Sequence, residues 1–583
     1  MPGTTGHRKL LEQLTADGLT TIFGNPGSSE EGLLNEITGF PQVRYILGLQ
    51  EAAVICMADG YAQATGKPAV VQVHTGVGLG TGLGSIYHAW RRQTPMVVLA
   101  GEAGVSYDAL EAHMAVDLVA MARPVTKYAA RALHPSSLLR LLRRCIKVAA
   151  TPPFGPVFLA IPQDVLDQAN EEPVLPTQFP ETRTTPEPAL IARAAEMLAG
   201  AENPVILMGD GIAHAGGEAE LVAFAEALGA RVYGVMVSEL VMPWSHPLYC
   251  GLTGHMFGYA SARTVENADV VVISGTYVFP DVFPLLTNPF RADAKVIQID
   301  LDPYAIAKNH PVSLGLMSDP KTTLRALTAA LSAQMTSEQK AMTAARAERI
   351  GAENADRLQR ERARDQARDE TDRQAWQVDY PAAPGGGNPD RDLPPRMSNF
   401  ARELARVLPA DAILFDESLT HNPDLLRWIV PEKPRHFFQT PGGTLGVGIP
   451  GAVGVKLAHP DKTVIGLTGD GGAMYTYQAL WTAAHYRIGA KFVVCNNQSY
   501  RLLKLNLVDY WRQQGLTPEQ YPPFPPPFDV AGPSPDFVGL AGALGVPGSR
   551  IEERRQIAPA IAAMLAHDGP YLLELDLSFE RNV

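Results

Sequence analysis

Gly469-Asp470-Gly471, followed after one helix and one strand by Asn496-Asn497, constrains this chain more than any other feature. Lys462-Thr463-Val464-Ile465-Gly466-Leu467-Thr468 reads as a buried strand, Ala473 to Arg487 as a helix, and Phe492-Val493-Val494-Cys495 as a second strand. A βαβ unit puts the carboxyl ends of its parallel strands on one sheet edge, so Asp470 and Asn497 become neighbours there. The glycines let the backbone approach a ligand closely, and the amides opening the helix favour an anion. The Asp470 carboxylate, the Asn497 amide oxygen and the main-chain carbonyl of Ser499 are hard oxygen donors suited to a magnesium ion riding on a diphosphate. An isolated Gly-Asp-Gly reads more readily as an ordinary strand-to-helix turn. The paired asparagines at the end of the next strand favour the metal site.

With 583 residues the chain has room for three or four domains, at roughly 150 residues each. Hydrophobic residues at 46% and charged ones at 19% fit a globular enzyme rather than a disordered or fibrous chain. A net charge of −12, with basic residues scattered among acids, argues against a nucleic-acid partner. Cys56, Cys145, Cys250 and Cys495 lie far apart in apolar runs, without metal-ligand spacing, and read as buried core thiols of a reducing compartment. The start lacks the basic-then-apolar profile of a secretory signal. No run reaches the ~18 apolar residues that would span a membrane. The expected location is the cytoplasm.

Residues 1–175 alternate strand and helix patterns: Thr20-Thr21-Ile22-Phe23, Ala69 to Val73 and Met96 to Ala100 as strands, Ala52 to Ala64 as a helix. Pro173 to Pro188 reads as a linker. A second α/β region, 188–332, carries buried strands at Pro204 to Met208, Asp269 to Ile273 and Lys295 to Ile299. Residues 333–396 combine a densely charged stretch, Ser337 to Gln377, expected as an exposed helix, with a flexible connection, Tyr380 to Pro395, that contains Gly385-Gly386-Gly387. The third region, 397–583, holds the metal motif and a proline-dense loop, Tyr521 to Pro535, that either covers a site mouth or merely crosses the surface.

The N-terminal region supplies Phe23-Gly24-Asn25-Pro26-Gly27-Ser28, then Tyr45-Ile46-Leu47-Gly48-Leu49-Gln50-Glu51-Ala52-Ala53, then Val71-Gln72-Val73-His74. Together with the metal motif these residues resemble the thiamine diphosphate-dependent 2-oxo acid decarboxylase and acetolactate synthase superfamily, most closely its benzoylformate decarboxylases. The resemblance covers the chain apart from the charged segment 337–377, which is longer than the family's usual linker. It implies three doubly wound, parallel-sheet α/β domains: pyrimidine-binding (1–175), middle (188–332) and diphosphate-binding (397–583). It further implies thiamine diphosphate with Mg2+ or Ca2+, and sites shared between two subunits, in a dimer or, as the favoured assembly, a homotetramer built as a dimer of dimers.

Carried over residue by residue, the resemblance places cofactor contacts at Asn25, Pro26, Gly27, Glu51, Ser418, Thr420, His421, Gly443, Leu445, Gly469, Asp470, Gly471, Gly472, Ala473, Asn497, Ser499 and Tyr500. Glu51 would bond a pyrimidine ring nitrogen and favour the tautomer that acts as base, although a glutamate at a helix start also simply offsets the dipole. Leu445 would wedge between the cofactor's two rings, with the Gly443 carbonyl on the exocyclic amine. His421, which follows the family's Glu417-Ser418 pair, would contact the diphosphate as in acetolactate synthases.

Benzoylformate decarboxylases bring a serine and two histidines to the substrate. Ser28 and His74 match the first two. A lone histidine in such a run is equally a satisfied core residue. The second histidine is missing: its place falls at Val282, beside Asp281. His113 lies where pyruvate decarboxylases carry a histidine pair, and it either replaces the missing group or is a solvent-facing helix residue. After Tyr500 the family's small residues give way to Arg501-Leu502-Leu503. Leu502 should narrow the pocket, and Arg501 either meets a second substrate carboxylate or points to solvent.

The leading expectation is non-oxidative decarboxylation of a 2-oxo acid to an aldehyde, with Glu51, Ser28, His74 and His113 as catalytic residues. A carboligase or C–C lyase that makes or cleaves 2-hydroxy ketones, with an aldehyde as acceptor, is the alternative. A non-catalytic cofactor-binding subunit is the third. Met208-Gly209-Asp210-Gly211 is too generic to assign a flavin or nucleotide to the middle region.

Overall fold

The computed structural model describes residues 4–379, 393–441 and 443–581. Most of the connection expected at Tyr380 to Pro395, including its glycine run, lies outside them. Three six-stranded sheets carry the chain. The first comprises β1 (Thr21–Gly24), β2 (Arg44–Leu47), β3 (Ala69–His74), β4 (Met96–Glu102), β5 (Ala129–Arg131) and β6 (Pro156–Pro162) in the order β2-β1-β3-β4-β6-β5. The second comprises β7 (Pro204–Met208), β8 (Arg231–Gly234), β9 (Tyr249–Leu252), β10 (Val270–Ser274), β11 (Lys295–Asp300) and β12 (Leu314–Met317), ordered β12-β11-β10-β7-β8-β9. The third comprises β13 (Ile413–Glu417), β14 (Phe437–Gln439), β15 (Val464–Gly469), β16 (Lys491–Asn496), β17 (Gly548–Ile551) and β18 (Tyr571–Asp576), ordered β14-β13-β15-β16-β18-β17. Inner strands such as β6, β7, β10 and β16 are buried along their whole length, which is why they read as continuous apolar runs.

One compact unit comprises Met1–Pro180, Pro394–Asn422 and Gly442–Val583, the other Glu181–Leu393 and Pro423–Pro441. Within the first unit, helix Glu51–Thr65 packs on helix Gly448–Ala458 so closely that a Cβ on Gly60 would overlap the Gly451 carbonyl, and one on Gly454 the Met57 carbonyl. Tyr486 and Thr482 bond to the end of β2: the Tyr486 hydroxyl donates to the Tyr45 carbonyl (3.0 Å) and the Thr482 hydroxyl to the Leu47 carbonyl (2.9 Å). A fully buried ion pair joins Arg92 and Asp59 at 2.8 Å, with the guanidinium 5.2 Å above the Phe415 ring.

In the second unit the charged stretch forms the expected helix, Ser337–Asp379, but it is not simply exposed. Arg346 is buried and donates to the carbonyls of Leu228 (2.7 Å) and Gly229 (2.9 Å), closing the end of helix Glu218–Leu228. Both carboxylate oxygens of Asp365 accept from one nitrogen, Arg427 Nη1, at 2.8 and 2.7 Å. Charge density alone gives no sign of which charges find partners.

The helix expected over Ala473 to Arg487 is two helices, Asp470–Thr476 and Ala479–His485. Leu480 and Trp481 donate to Tyr477 and Gln478, three residues back, so the α-helical ladder is interrupted there. The first helix begins at Asp470, which puts that residue in its first turn. Among the described residues no helix is long and apolar enough to cross a membrane, and all four cysteines are buried and free.

Candidate active site

At the carboxyl edge of the first sheet, β1 runs into Asn25-Pro26-Gly27 and β3 ends at His74. The Asn25 amide donates to Glu51 Oε1 (2.9 Å) and the Thr81 hydroxyl to Glu51 Oε2 (2.6 Å). Glu51 is the first residue of its helix, half-buried above Gly78. The His74 Nδ1 lies 2.9 Å from Glu30 Oε2, and that same oxygen accepts the Gly27 amide at 2.9 Å. Burial pushes the Glu30 carboxyl up, while the Gly27 amide and His74 pull it back down. Gly27 is obligatory here, because a Cβ would overlap the imidazole. Thr75 follows at φ +46°, rare for a β-branched residue, and turns the chain out of β3 into helix Thr75–Arg91. Ser28 is exposed at the start of a short 3-10 turn beside this group.

His113 is not on a helix. It is exposed in a turn between Glu111 (φ +44°) and Met114 (φ +68°). That turn folds back to the exit of β3, where Met114 Sδ lies 4.0 Å from the Thr75 hydroxyl. No hydrogen bond ties His113 to another described residue. In the second unit, Val282 is 52% exposed, and Asp281 is buried, accepting from the Ser261 hydroxyl at 2.6 Å. The Val282 amide donates to the carbonyl of His255 (3.0 Å), a histidine the sequence reading passed over. In the Gly209-Asp210-Gly211 turn, Asp210 is committed to the amide (2.9 Å) and hydroxyl (2.6 Å) of Ser238, and both glycines press on Gly275.

Strands β13, β15 and β16 are neighbours in the third sheet, with Glu417 level with Thr468 and Gly469 level with Cys495. Their ends therefore bring Ser418, Asp470 and Asn497 to one edge. Asp470 Oδ1 accepts the Gly471 amide at 2.7 Å, and the amides of Gln498 and Ser499 face the same carboxylate. Burial dominates and pushes this carboxyl up to about 6. Asn497 Oδ1 accepts the Ser499 amide at 3.0 Å, and its Nδ2 lies 3.2 Å from His421 Nε2. His421 is buried, with Nδ1 3.5 Å from Glu580 Oε2, so it supports the Asn497 side chain. Thr420 is half-buried beside it.

Glu417, like Glu30, has a role that the sequence does not announce. Its buried carboxylate accepts the amides of Gly446 (2.5 Å) and Gly448 (2.7 Å) and the Thr468 hydroxyl (3.0 Å). These bonds fasten the loop that presents Leu445, half-buried between Gly443 (φ +83°) and Gly446 (φ +87°).

The edge fits a metal-bound diphosphate. Asp470 Oδ2 and Ser418 Oγ are buried without a hydrogen-bond partner, which is costly unless a ligand or water meets them. A Cβ on Gly469 or Gly443 would point into open space. Arg501 Nε is likewise buried without an acceptor, so this side chain does not simply point to solvent.

The thiamine pyrophosphate enzyme N-terminal TPP-binding domain matches residues 4–121, the central domain residues 191–327, and the C-terminal TPP-binding domain residues 421–575. Benzoylformate decarboxylase of Pseudomonas aeruginosa is 32% identical over 98% of both chains. The large subunit of acetolactate synthase isozyme 2 of Escherichia coli is 27% identical over 99% of this chain and 96% of its own length. Among solved structures, the thiamine diphosphate-dependent 4-hydroxybenzoylformate decarboxylase of Rhodococcus jostii superposes with a TM-score of 0.79 at 27% identity, covering 99% of this chain and 100% of that one. With its cofactor-binding domains matched and 98–99% of its length aligned to such relatives, the chain belongs to the thiamine pyrophosphate enzymes, in the group that holds the 2-oxo acid decarboxylases and acetolactate synthases.

Proposed function

We propose that this chain is a non-oxidative decarboxylase that converts a 2-oxo acid to an aldehyde, in the manner of the benzoylformate decarboxylases. The observation that carries the reading is the His74–Glu30–Gly27 group beside Glu51. It sets a carboxylate fit to polarise a pyrimidine next to an imidazole fit to move a substrate proton. Bound thiamine diphosphate supplies the electron sink that lets a 2-oxo acid lose carbon dioxide.

Around it, Glu51 holds a proton at the pyrimidine ring nitrogen. Leu445 and the Gly443 carbonyl would hold the ring end of the cofactor. Asp470, Asn497 and the Ser499 carbonyl would hold Mg2+ or Ca2+, which would anchor the diphosphate. Ser28 binds the substrate carboxylate, and His74 delivers a proton through the nitrogen that Glu30 leaves free, with His113 as a second proton-transfer group. Each site is shared between subunits of a homotetramer. Support for this comes from apolar side chains left open around both clusters, Leu49 (46% exposed) and Val77 (61%) on one and Met474 (48%) and Tyr475 (55%) on the other, which a second copy would cover. The buried free thiols suit a reducing cytoplasm.

The carboligase reading is favoured by one observation, the absence of a histidine at Val282. The test is a panel of 2-oxo acids given to the protein with thiamine diphosphate and Mg2+, scored for carbon dioxide, aldehyde and, with added aldehyde, 2-hydroxy ketone. Aldehyde as main product supports the decarboxylase. Ketol as main product replaces it with the carboligase, and no turnover of any 2-oxo acid overturns both.

A further inference from the structure

The turn that carries Asn497 and Ser499 is held only in part by its own groups, through the Ser499 amide on Asn497 Oδ1 (3.0 Å) and the Asp470 carboxylate that the Gln498 and Ser499 amides face. Gln498 sits in the left-handed region (φ +57°), which residues with a side chain rarely adopt. Tyr500 (φ −72°, ψ 63°) forms an inverse γ-turn in which the Arg501 amide donates to the Ser499 carbonyl at 2.8 Å. The proline-dense loop adds three further bonds to this backbone. The Phe528 carbonyl accepts the Tyr500 amide (2.9 Å) and the Ser499 hydroxyl (3.2 Å), and the Val530 amide donates to the Gln498 carbonyl (3.1 Å).

The loop is itself fastened at two points. Trp511, buried on helix Arg501–Gln513, lies against the rings of Tyr521 (5.0 Å) and Phe524 (5.4 Å), and Lys504 Nζ is 5.6 Å from the Phe524 centroid. Asp529 pairs with Arg581 and accepts the Ala531 amide at 3.1 Å. Prolines at 522, 523, 525, 526 and 527 restrict the intervening chain, so the brace loses little entropy on ordering.

We propose that the Tyr521–Val530 loop is a clamp on the cation-binding turn, with Trp511 and Asp529 as positioning residues that set the affinity for divalent metal without touching it. This rests on the metal reading above, in which Ser499 and Asn497 are ligands. Residues that orient metal ligands from outside the coordination sphere typically govern affinity by about 10–100-fold.

The experiment strips the full-length protein of cofactor and titrates Mn2+ with thiamine diphosphate present, reading free Mn2+ by electron paramagnetic resonance. Trp511→Leu and Asp529→Asn should each weaken Mn2+ binding by at least about tenfold. Trp511→Phe, which keeps a stacking ring, should restore it, and turnover at saturating Mg2+ and cofactor should stay near wild type. Unchanged Mn2+ affinity in folded Trp511→Leu and Asp529→Asn overturns the clamp, as does a loss confined to turnover. Asp529 is exposed, so its variant keeps the test decisive if Trp511→Leu fails to fold. A wild-type protein that binds no Mn2+ removes the metal reading itself, and the clamp with it.

Discussion

His74 and Glu30 face each other across 2.9 Å, and the glutamate is itself held by the Gly27 amide at the same distance. With Nδ1 engaged, the outer nitrogen Nε2 is the one available to a substrate. Replacing Glu30 with Gln removes the charge that orients the ring, and replacing Gly27 with Ala drives a methyl into it. Both variants should lose kcat by on the order of 100-fold, the lower end of what a positioned acid–base group contributes. Cofactor affinity, measured by fluorescence titration, should stay near wild type in Glu30→Gln. Equal losses in kcat and cofactor affinity there would make the pair structural.

Glu51 offers a cleaner substitution. A Gln side chain keeps an acceptor for the Asn25 amide and a donor for the Thr81 oxygen, so both existing contacts can be satisfied. Far-UV circular dichroism and thermal midpoint should be unchanged in Glu51→Gln. Turnover should fall by about 10²–10⁴-fold, together with hydrogen–deuterium exchange at the thiazolium carbon. Near-normal exchange would end the assignment of Glu51.

Much of this site was legible because its residues sit where strands end. Asp470 and Asn497 terminate buried apolar runs, and the parallel rule alone brings them to one edge. Glu30 escaped notice although its three-residue spacing from Gly27 is that of a capping residue. Its partner His74 is 44 residues away, and no local pattern announces that contact. Glu417 was read only as half of a family pair. Its grip on Gly446 and Gly448 depends on a loop 29 to 31 residues onward. The pairing of Phe528 and Val530 with the metal turn was illegible for a related reason, since prolines remove the alternation by which a paired segment is recognised.

The contact between helices Glu51–Thr65 and Gly448–Ala458 predicts a sharp asymmetry between glycines. At Gly454 a methyl would meet the main-chain oxygen of Met57, which cannot rotate away as a side chain would. At Gly469 the same methyl meets nothing within 4 Å. Gly454→Ala should therefore destabilise the protein by about 1–3 kcal/mol, the usual cost of overpacking. Gly469→Ala should leave the apoprotein's stability unchanged and weaken diphosphate binding instead. Thermal midpoints of the apoproteins, with cofactor titrations alongside, separate the two, and a stable Gly454→Ala would contradict the packing.

Burial pushes Glu417 up to about 7 from an ordinary 4.5, against the pull of the Gly448 and Gly446 amides and the Thr468 hydroxyl. Between those values the folded protein retains a proton that the unfolded chain has released. Stability contributed at this position therefore falls as pH rises from about 4.5 to 7 and is level above that. Glu417→Gln has no such proton to lose. Its stability relative to wild type should rise between pH 5 and pH 8 by about 2–3 kcal/mol, from a shift of that size at 1.36 kcal/mol per unit. The check is urea unfolding of the two apoproteins at both pH values, compared as a difference so that other titrating groups cancel. A difference that does not change with pH would mean that the carboxylate is already charged at pH 5, held ionised by the same amides that fasten Leu445 in place.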